Sequence, residues 1–116
     1  MNSVPPASPE ALAQRQLDAY NARDVEAFAA CYAEDVDVRD LRTNDPILRG
    51  RAALHERYGK MFAATPDLHA EVGTRITCGP FAFDHEEVTR NGGRSEVVAI
   101  YEVKDGLIHR VWFARP

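Results

Sequence analysis

Asp40, His85 and Tyr101 each fall in a stretch with the alternation of a strand. A carboxylate can act as a general base, and an imidazole or a phenol can exchange a proton or donate a hydrogen bond to a carbonyl oxygen. Between Phe81 and Arg90 strict alternation puts Phe81, Phe83, His85, Glu87 and Thr89 on one face and Ala82, Asp84, Glu86 and Val88 on the other. The two phenylalanines mark the first face as the inward one. His85 is then expected inside a concavity, where a near-neutral imidazole donates to a carbonyl oxygen or exchanges protons around pH 6 to 7. Glu87 follows one step nearer the rim. On the next strand Val97, Ala99, Tyr101 and Val103 share a face, with Tyr101 offering a hydroxyl and Ala99 leaving space. Asp40 closes a shorter alternating run, where an aspartate also caps turns or pairs with Arg39 or Arg42. It serves as a base near neutrality only where apolar burial raises its pKa.

These groups need a scaffold, and the local signals describe one. Ser8-Pro9-Glu10 has the cap, the preorganised proline and the acidic first turn of a helix start. Ala13, Leu17 and Tyr20 continue that helix, which breaks at Asn21 to Arg23 because Asp24 caps a second one carrying Val25, Phe28, Ala29 and Tyr32. Val36 and Val38 then alternate with acids and Arg39, and Asp45-Pro46 marks a turn. Gly50 precedes a third helix with Leu54, Tyr58, Met61 and Phe62 on one stripe, stopped by Thr65-Pro66-Asp67. Strands are expected over Leu68 to Cys78, Phe81 to Arg90, Arg94 to Lys104 and Leu107 to Arg115. Gly79-Pro80, Asn91-Gly92-Gly93 and Asp105-Gly106 are the turns between them.

Helices followed by a meander predict an α+β domain, with three N-terminal helices packed on a strongly curved, mixed but mainly antiparallel sheet that forms a cone. Residues 1–8 are expected to be a flexible lead and residues 9–116 the single domain. Tyr20, Phe28, Tyr32, Tyr58 and Phe62 take core-facing helical positions and are expected as walls of the concavity. On the last strand Val111 and Phe113 should line it, with His109 on the same face and Trp112 on the opposite one.

Composition excludes several classes of function. The 116 residues carry a formal net charge of -4, which leaves no broad basic field for nucleic acid or an anionic membrane. No apolar run reaches the roughly 20 residues that span a bilayer, and the opening lacks a leader's basic and apolar regions. A soluble cytoplasmic protein is expected. The four histidines are dispersed, and neither His55-Glu56 nor His85-Glu86 has a second histidine at zinc-ligand spacing. Asn91-Gly92-Gly93 sits in a hairpin, so it does not open a helix as a phosphate loop must. Cys31 and Cys78, read on a helix and a strand, are expected as buried structural thiols. Neither metal nor cofactor is expected.

The order of elements, with four strings, resembles the nuclear transport factor 2-like superfamily and its SnoaL-like and ketosteroid-isomerase-like branch. The strings are Ala19-Tyr20-Asn21-Ala22-Arg23-Asp24, Tyr32 through Asp40, Gly50-Arg51-Ala52-Ala53-Leu54, and Lys104-Asp105-Gly106-Leu107-Ile108. In the isomerases of this branch an aspartate removes a proton next to a carbonyl, while a tyrosine and a protonated aspartic acid donate to the enolate. The resemblance puts Asp40 at the proton-abstracting position and turns the face of Tyr101 inward. It puts Gln16 and Ala99 where the isomerases have their two donors, so the chain departs from the steroid isomerase pattern. What this implies is a cofactor-independent isomerase, cyclase, dehydratase or hydrolase for a small apolar carbonyl compound, with Asp40 as base and His85 or Tyr101 directed at the oxygen. A noncatalytic binder of small apolar or aromatic ligands is the alternative. Val98, Ile100 and Trp112 on the outer sheet face suggest a homodimer.

Overall fold

The computed structural model describes residues 7–116. The expected lead over residues 1–8 therefore lies, up to residue 6, outside the described residues. Helix α1 (Pro9–Ala22) starts where Ser8 accepts from the Ala11 amide at 3.1 Å. It stops at Arg23, whose left-handed backbone (φ 52°) returns its N–H to the carbonyls of Ala19 and Tyr20. Asp24 then caps α2 (Val25–Ala29) by accepting from Ala27. Strand β1 (Tyr32–Asp40) follows so closely that Tyr32 opens the strand and does not extend the helix, while Cys31 lies in the turn between them.

Asp45-Pro46 does more than turn the chain. Pro46 begins β2 (Pro46–Arg49), an edge strand antiparallel to β1, where the sequence marks only a turn before Gly50. Four residues at a sheet edge, led by a proline, carry too little alternation to announce a strand. Helix α3 (Arg51–Ala64) and strands β3 (His69–Cys78), β4 (Phe81–Arg90), β5 (Gly93–Lys104) and β6 (Leu107–Ala114) complete the chain. Their bounds fall within a residue of the expected ones, because the turns demand positive φ and meet it at Gly79, Asn91, Gly92, Asp105 and Gly106.

The sheet has six strands in the order β2-β1-β6-β5-β4-β3, with β1 parallel to β6 and every other pair antiparallel. It is strongly curved and does not close. Register shifts interrupt the β1–β2, β1–β6, β3–β4 and β5–β6 pairs, and such bulges add local twist and bend. The three helices fill the concave side, where Leu12, Phe28, Leu54, Val36, Val38 and Ile108 are among the most deeply buried side chains.

One side chain ties the helical layer to the far sheet edge. The Asn21 amide donates to the Ala70 carbonyl at 2.9 Å and accepts from the Ala70 amide at 2.8 Å, imitating one rung of a strand. Asn21→Ala is expected to cost about 1–3 kcal/mol, because two backbone groups on β3 lose their partner. Urea unfolding measures it, and an unchanged midpoint would refute this account of the layer contact.

Candidate functional site

Between the helices and the concave face lies a cavity of about 210 Å³. That is below the roughly 300–1,000 Å³ of most ligand pockets, so its occupant must be compact. One wall is aromatic. Tyr20 and Phe28 from the first two helices, Tyr58 and Phe62 from α3, and Tyr32 from β1 form a cluster with ring centroids 4.7 to 6.4 Å apart. The opposite wall comes from the inward residues of β4, β5 and β6, including Glu86, Val97, Tyr101 and Phe113.

Helical positions expected in the wall are there: Gln16, Tyr20, Phe28, Tyr32 and Tyr58 all line the cavity. Phe62 is buried behind its neighbours in the cluster and does not line it, and Ala99 and Val111 are likewise sealed into the core. Tyr101 and Phe113 line it.

Strand β4 is turned over relative to the sequence reading. Ala82, Asp84 and Glu86 are buried, whereas His85 and Glu87 are exposed and Phe81 and Phe83 are half-buried. His85 lies on the outer face against Glu96, and Glu87 against Arg94. Phe83 lies on that face too, so His85, Phe83 and Glu87 are not cavity residues. The phenylalanines misled because the outer face has its own apolar row, while the acids of the inner face are paired within the fold. Asp84 is fully buried and takes a bidentate ion pair from Arg75, at 2.6 and 3.0 Å. Arg75 also donates to Gln14 of α1 at 2.9 Å.

Asp40 is occupied elsewhere. Its Oδ1 accepts from the backbone amides of Arg42 and Thr43 at 2.9 and 3.1 Å, the geometry of a strand-end aspartate that caps its own turn, and it is not among the cavity residues. His109 is displaced from the face of Val111 and Phe113 by the β5–β6 bulge, in which Val103 faces Ile108 and Glu102 faces Arg110. Ile108 takes the inward place, and His109 stands 3.8 Å from Asp35 on the other side. Cys31 is buried as expected, whereas Cys78 at the end of β3 is exposed.

The acid that does reach the cavity is Glu86, only 8% exposed. Burial, reinforced by the negative charge of Asp84, pushes its carboxyl up from 4.5 to about 7, against the opposing pull of a hydrogen bond from Tyr101 and the charge of Arg75. A carboxyl group titrating near neutrality can both accept and return a proton. Around it stand phenols held in their protonated, donating form: burial raises Tyr20, Tyr32, Tyr58 and Tyr101 alike. Tyr32 donates to Gln16 at 3.4 Å, and the Gln16 amide donates to Ala13 at 3.0 Å. Among the described residues the Tyr20 and Tyr58 hydroxyls have no hydrogen-bond partner and remain available to a ligand. Glu86 was readable only as one of two acids spaced between Ala82 and Val88, a signal that the rule of apolar residues inside discards. A larger hollow of about 390 Å³ beside Asp37, Arg39 and Trp112 lies on the outer face and is lined mainly by charged and polar side chains.

Comparison with known proteins agrees with this architecture. The SnoaL-like domain family matches residues 13–111. An uncharacterised cystatin-fold protein of Novosphingobium aromaticivorans superposes with a TM-score of 0.87 at 27% identity, over 93% of this chain and 98% of that one. A protein of Kribbella flavida provisionally named a ketosteroid isomerase is 33% identical, with a TM-score of 0.78 over 91% of this chain and 76% of that one. A provisionally named polyketide cyclase of Sinorhizobium meliloti shares the fold at 21% identity, with a TM-score of 0.75 over 88% and 92% of the two chains. No curated protein matches in sequence.

Proposed function

The chain belongs to the SnoaL-like family of the nuclear transport factor 2-like superfamily, and from that premise we propose that it is a cofactor-independent enzyme moving a proton on a small, mainly apolar carbonyl compound. Glu86 is the general base and acid in this reading, the place that the family resemblance alone would give to Asp40. The observation that supports it most is a buried carboxyl titrating near neutrality inside an aromatic cavity with unpartnered phenols. The Glu86 carboxylate takes a proton from the carbon next to the carbonyl, and the C–H electron pair moves to make the enolate. Tyr20 and Tyr58 donate to the enolate oxygen, whose charge they stabilise as it develops. Glu86 then returns the proton to the same carbon or, in a conjugated substrate, to a more distant one.

The test uses phenylacetone, whose benzylic hydrogens enolise, in deuterium oxide with NMR detection. Exchange is expected to rise with pH through about 7 as Glu86 ionises, and Asp40→Asn is expected to leave it intact. Loss of exchange in Asp40→Asn with retention in Glu86→Gln would overturn the assignment. Binding without any exchange would favour the noncatalytic ligand carrier, a reading supported by Gln16 and Ala99 at the two donor positions of the isomerases.

The outer face supports a homodimer. Ile76, Phe83, Ile100 and Trp112 stand in register across β3, β4, β5 and β6, with Ile76 59% exposed, and Val98 flanks the row. Such a continuous apolar stripe is covered when a second copy packs on it. Sedimentation at micromolar concentration is expected to show a dimer that Ile100→Lys dissociates; a wild-type monomer would refute it.

A further inference from the structure

Three arginines reach the cavity from three separate elements: Arg57 from α3, Arg90 from the end of β4, and Arg115 just beyond β6. In a chain of net charge -4 such a grouping does not follow from composition. All three are exposed, and among the described residues none forms an ion pair. Their fields overlap on the cavity's phenols: Arg90 and Arg115 act on Tyr20, and Arg57 and Arg115 act on Tyr58. The charged groups acting on Glu86 are instead Asp84 and Arg75, so the cavity's own acid does not neutralise the three.

One contact orients Arg115, and another fixes the backbone beside Arg90. The guanidinium of Arg115 stacks over the Phe113 ring, 5.2 Å from its centroid, which leaves its N–H edges to a ligand. The turn after Arg90 is clamped by Asp67, which accepts from the amides of Asn91 and Gly92 at 2.9 and 2.8 Å. The exposed ends are therefore cationic, and the interior is aromatic with one acid of its own.

We infer that the ligand is a compact apolar or aromatic acid, its anionic group held at the rim by Arg57, Arg90 and Arg115 and its apolar body set against Phe28, Tyr58 and Phe113. Guanidinium groups suit this task because their fixed forks match a carboxylate's two oxygens. The inference rests on the proposed reading of this cavity as the ligand site, and it adds the substrate's charge.

Fluorescence titration with 2-naphthoate and with 2-naphthamide, nearly equal in shape and different in charge, tests it. The anion is expected to bind at least about tenfold tighter than the amide at low salt, with the advantage shrinking as salt screens the rim. Arg57→Gln, Arg90→Gln and Arg115→Gln together are expected to abolish the preference while leaving amide binding in place, and each alone to reduce it. Glu86→Gln is expected to retain it. Equal affinity for the two probes, a preference that survives the triple substitution, or binding of neither probe would each overturn the inference. Phenylacetone exchange keeps the two proposals separable, since that neutral ketone reports on Glu86 without an anion at the rim.

Discussion

Glu86→Gln is expected to slow deuterium exchange into phenylacetone by about 100- to 10,000-fold, the usual contribution of a positioned general base. The amide keeps the shape of the side chain and can still accept from Tyr101, so the loss reports on the proton acceptor and not on a collapsed cavity. The same substitution is expected to stabilise the fold at high pH, and the sign follows from the direction of the shift. Glu86 is raised from 4.5 to about 7, so between those values the folded protein holds a proton that the unfolded chain gives up. Stability from this group is therefore fully present below about pH 4.5, falls through that window, and reaches its lowest level above about pH 7. The full shift corresponds to about 3 kcal/mol. Urea unfolding at pH 8 is expected to show Glu86→Gln more stable than wild type by up to that amount, with the difference gone at pH 4. A variant that loses exchange and gains stability has the signature of a functional group kept at a cost to the fold. A variant that exchanges like the wild type would remove Glu86 from the mechanism.

The second large effect is at the ion pair behind the cavity. Asp84→Ala is expected to destabilise by about 3–5 kcal/mol, because the mostly buried Arg75 keeps its charge after losing its bidentate partner. Replacing both residues by leucine is expected to recover most of that loss, since no unpaired charge then remains. Asp84→Ala also bears on Glu86. The Asp84 charge helps hold that carboxyl up and Arg75 pulls it down, so removing Asp84 moves the Glu86 pKa downward. The rising limb of the exchange profile should shift to lower pH in the folded variant. A stable Asp84→Ala protein with an unmoved profile would contradict both parts of this account.

Much of this fold is written locally. Ser8 and Asp24 cap helices through bonds to residues three positions away, and the three hairpin turns need only glycine, asparagine and aspartate at positive φ. Helical spacing likewise puts Tyr20, Phe28 and Tyr58 on the side facing the sheet, and all three reach the cavity. Such signals survive in sequence because each depends on neighbours within a turn or two of chain.

Tertiary structure decided what is not local. Which face of β4 points inward depends on where the helices cover the sheet, and on whether partners elsewhere in the chain can satisfy its acids. Arg75 on β3 and Tyr101 on β5 do so, which lets Asp84 and Glu86 displace the more apolar Phe81 and Phe83 from the interior. Alternation fixes two faces without naming either, so one misread face exchanged Glu86 for His85. A single extra residue in the β5–β6 bulge moved His109 out in the same way. Three arginines separated along the chain became neighbours at one rim only because the curved sheet brings the ends of β4 and β6 beside the middle of α3.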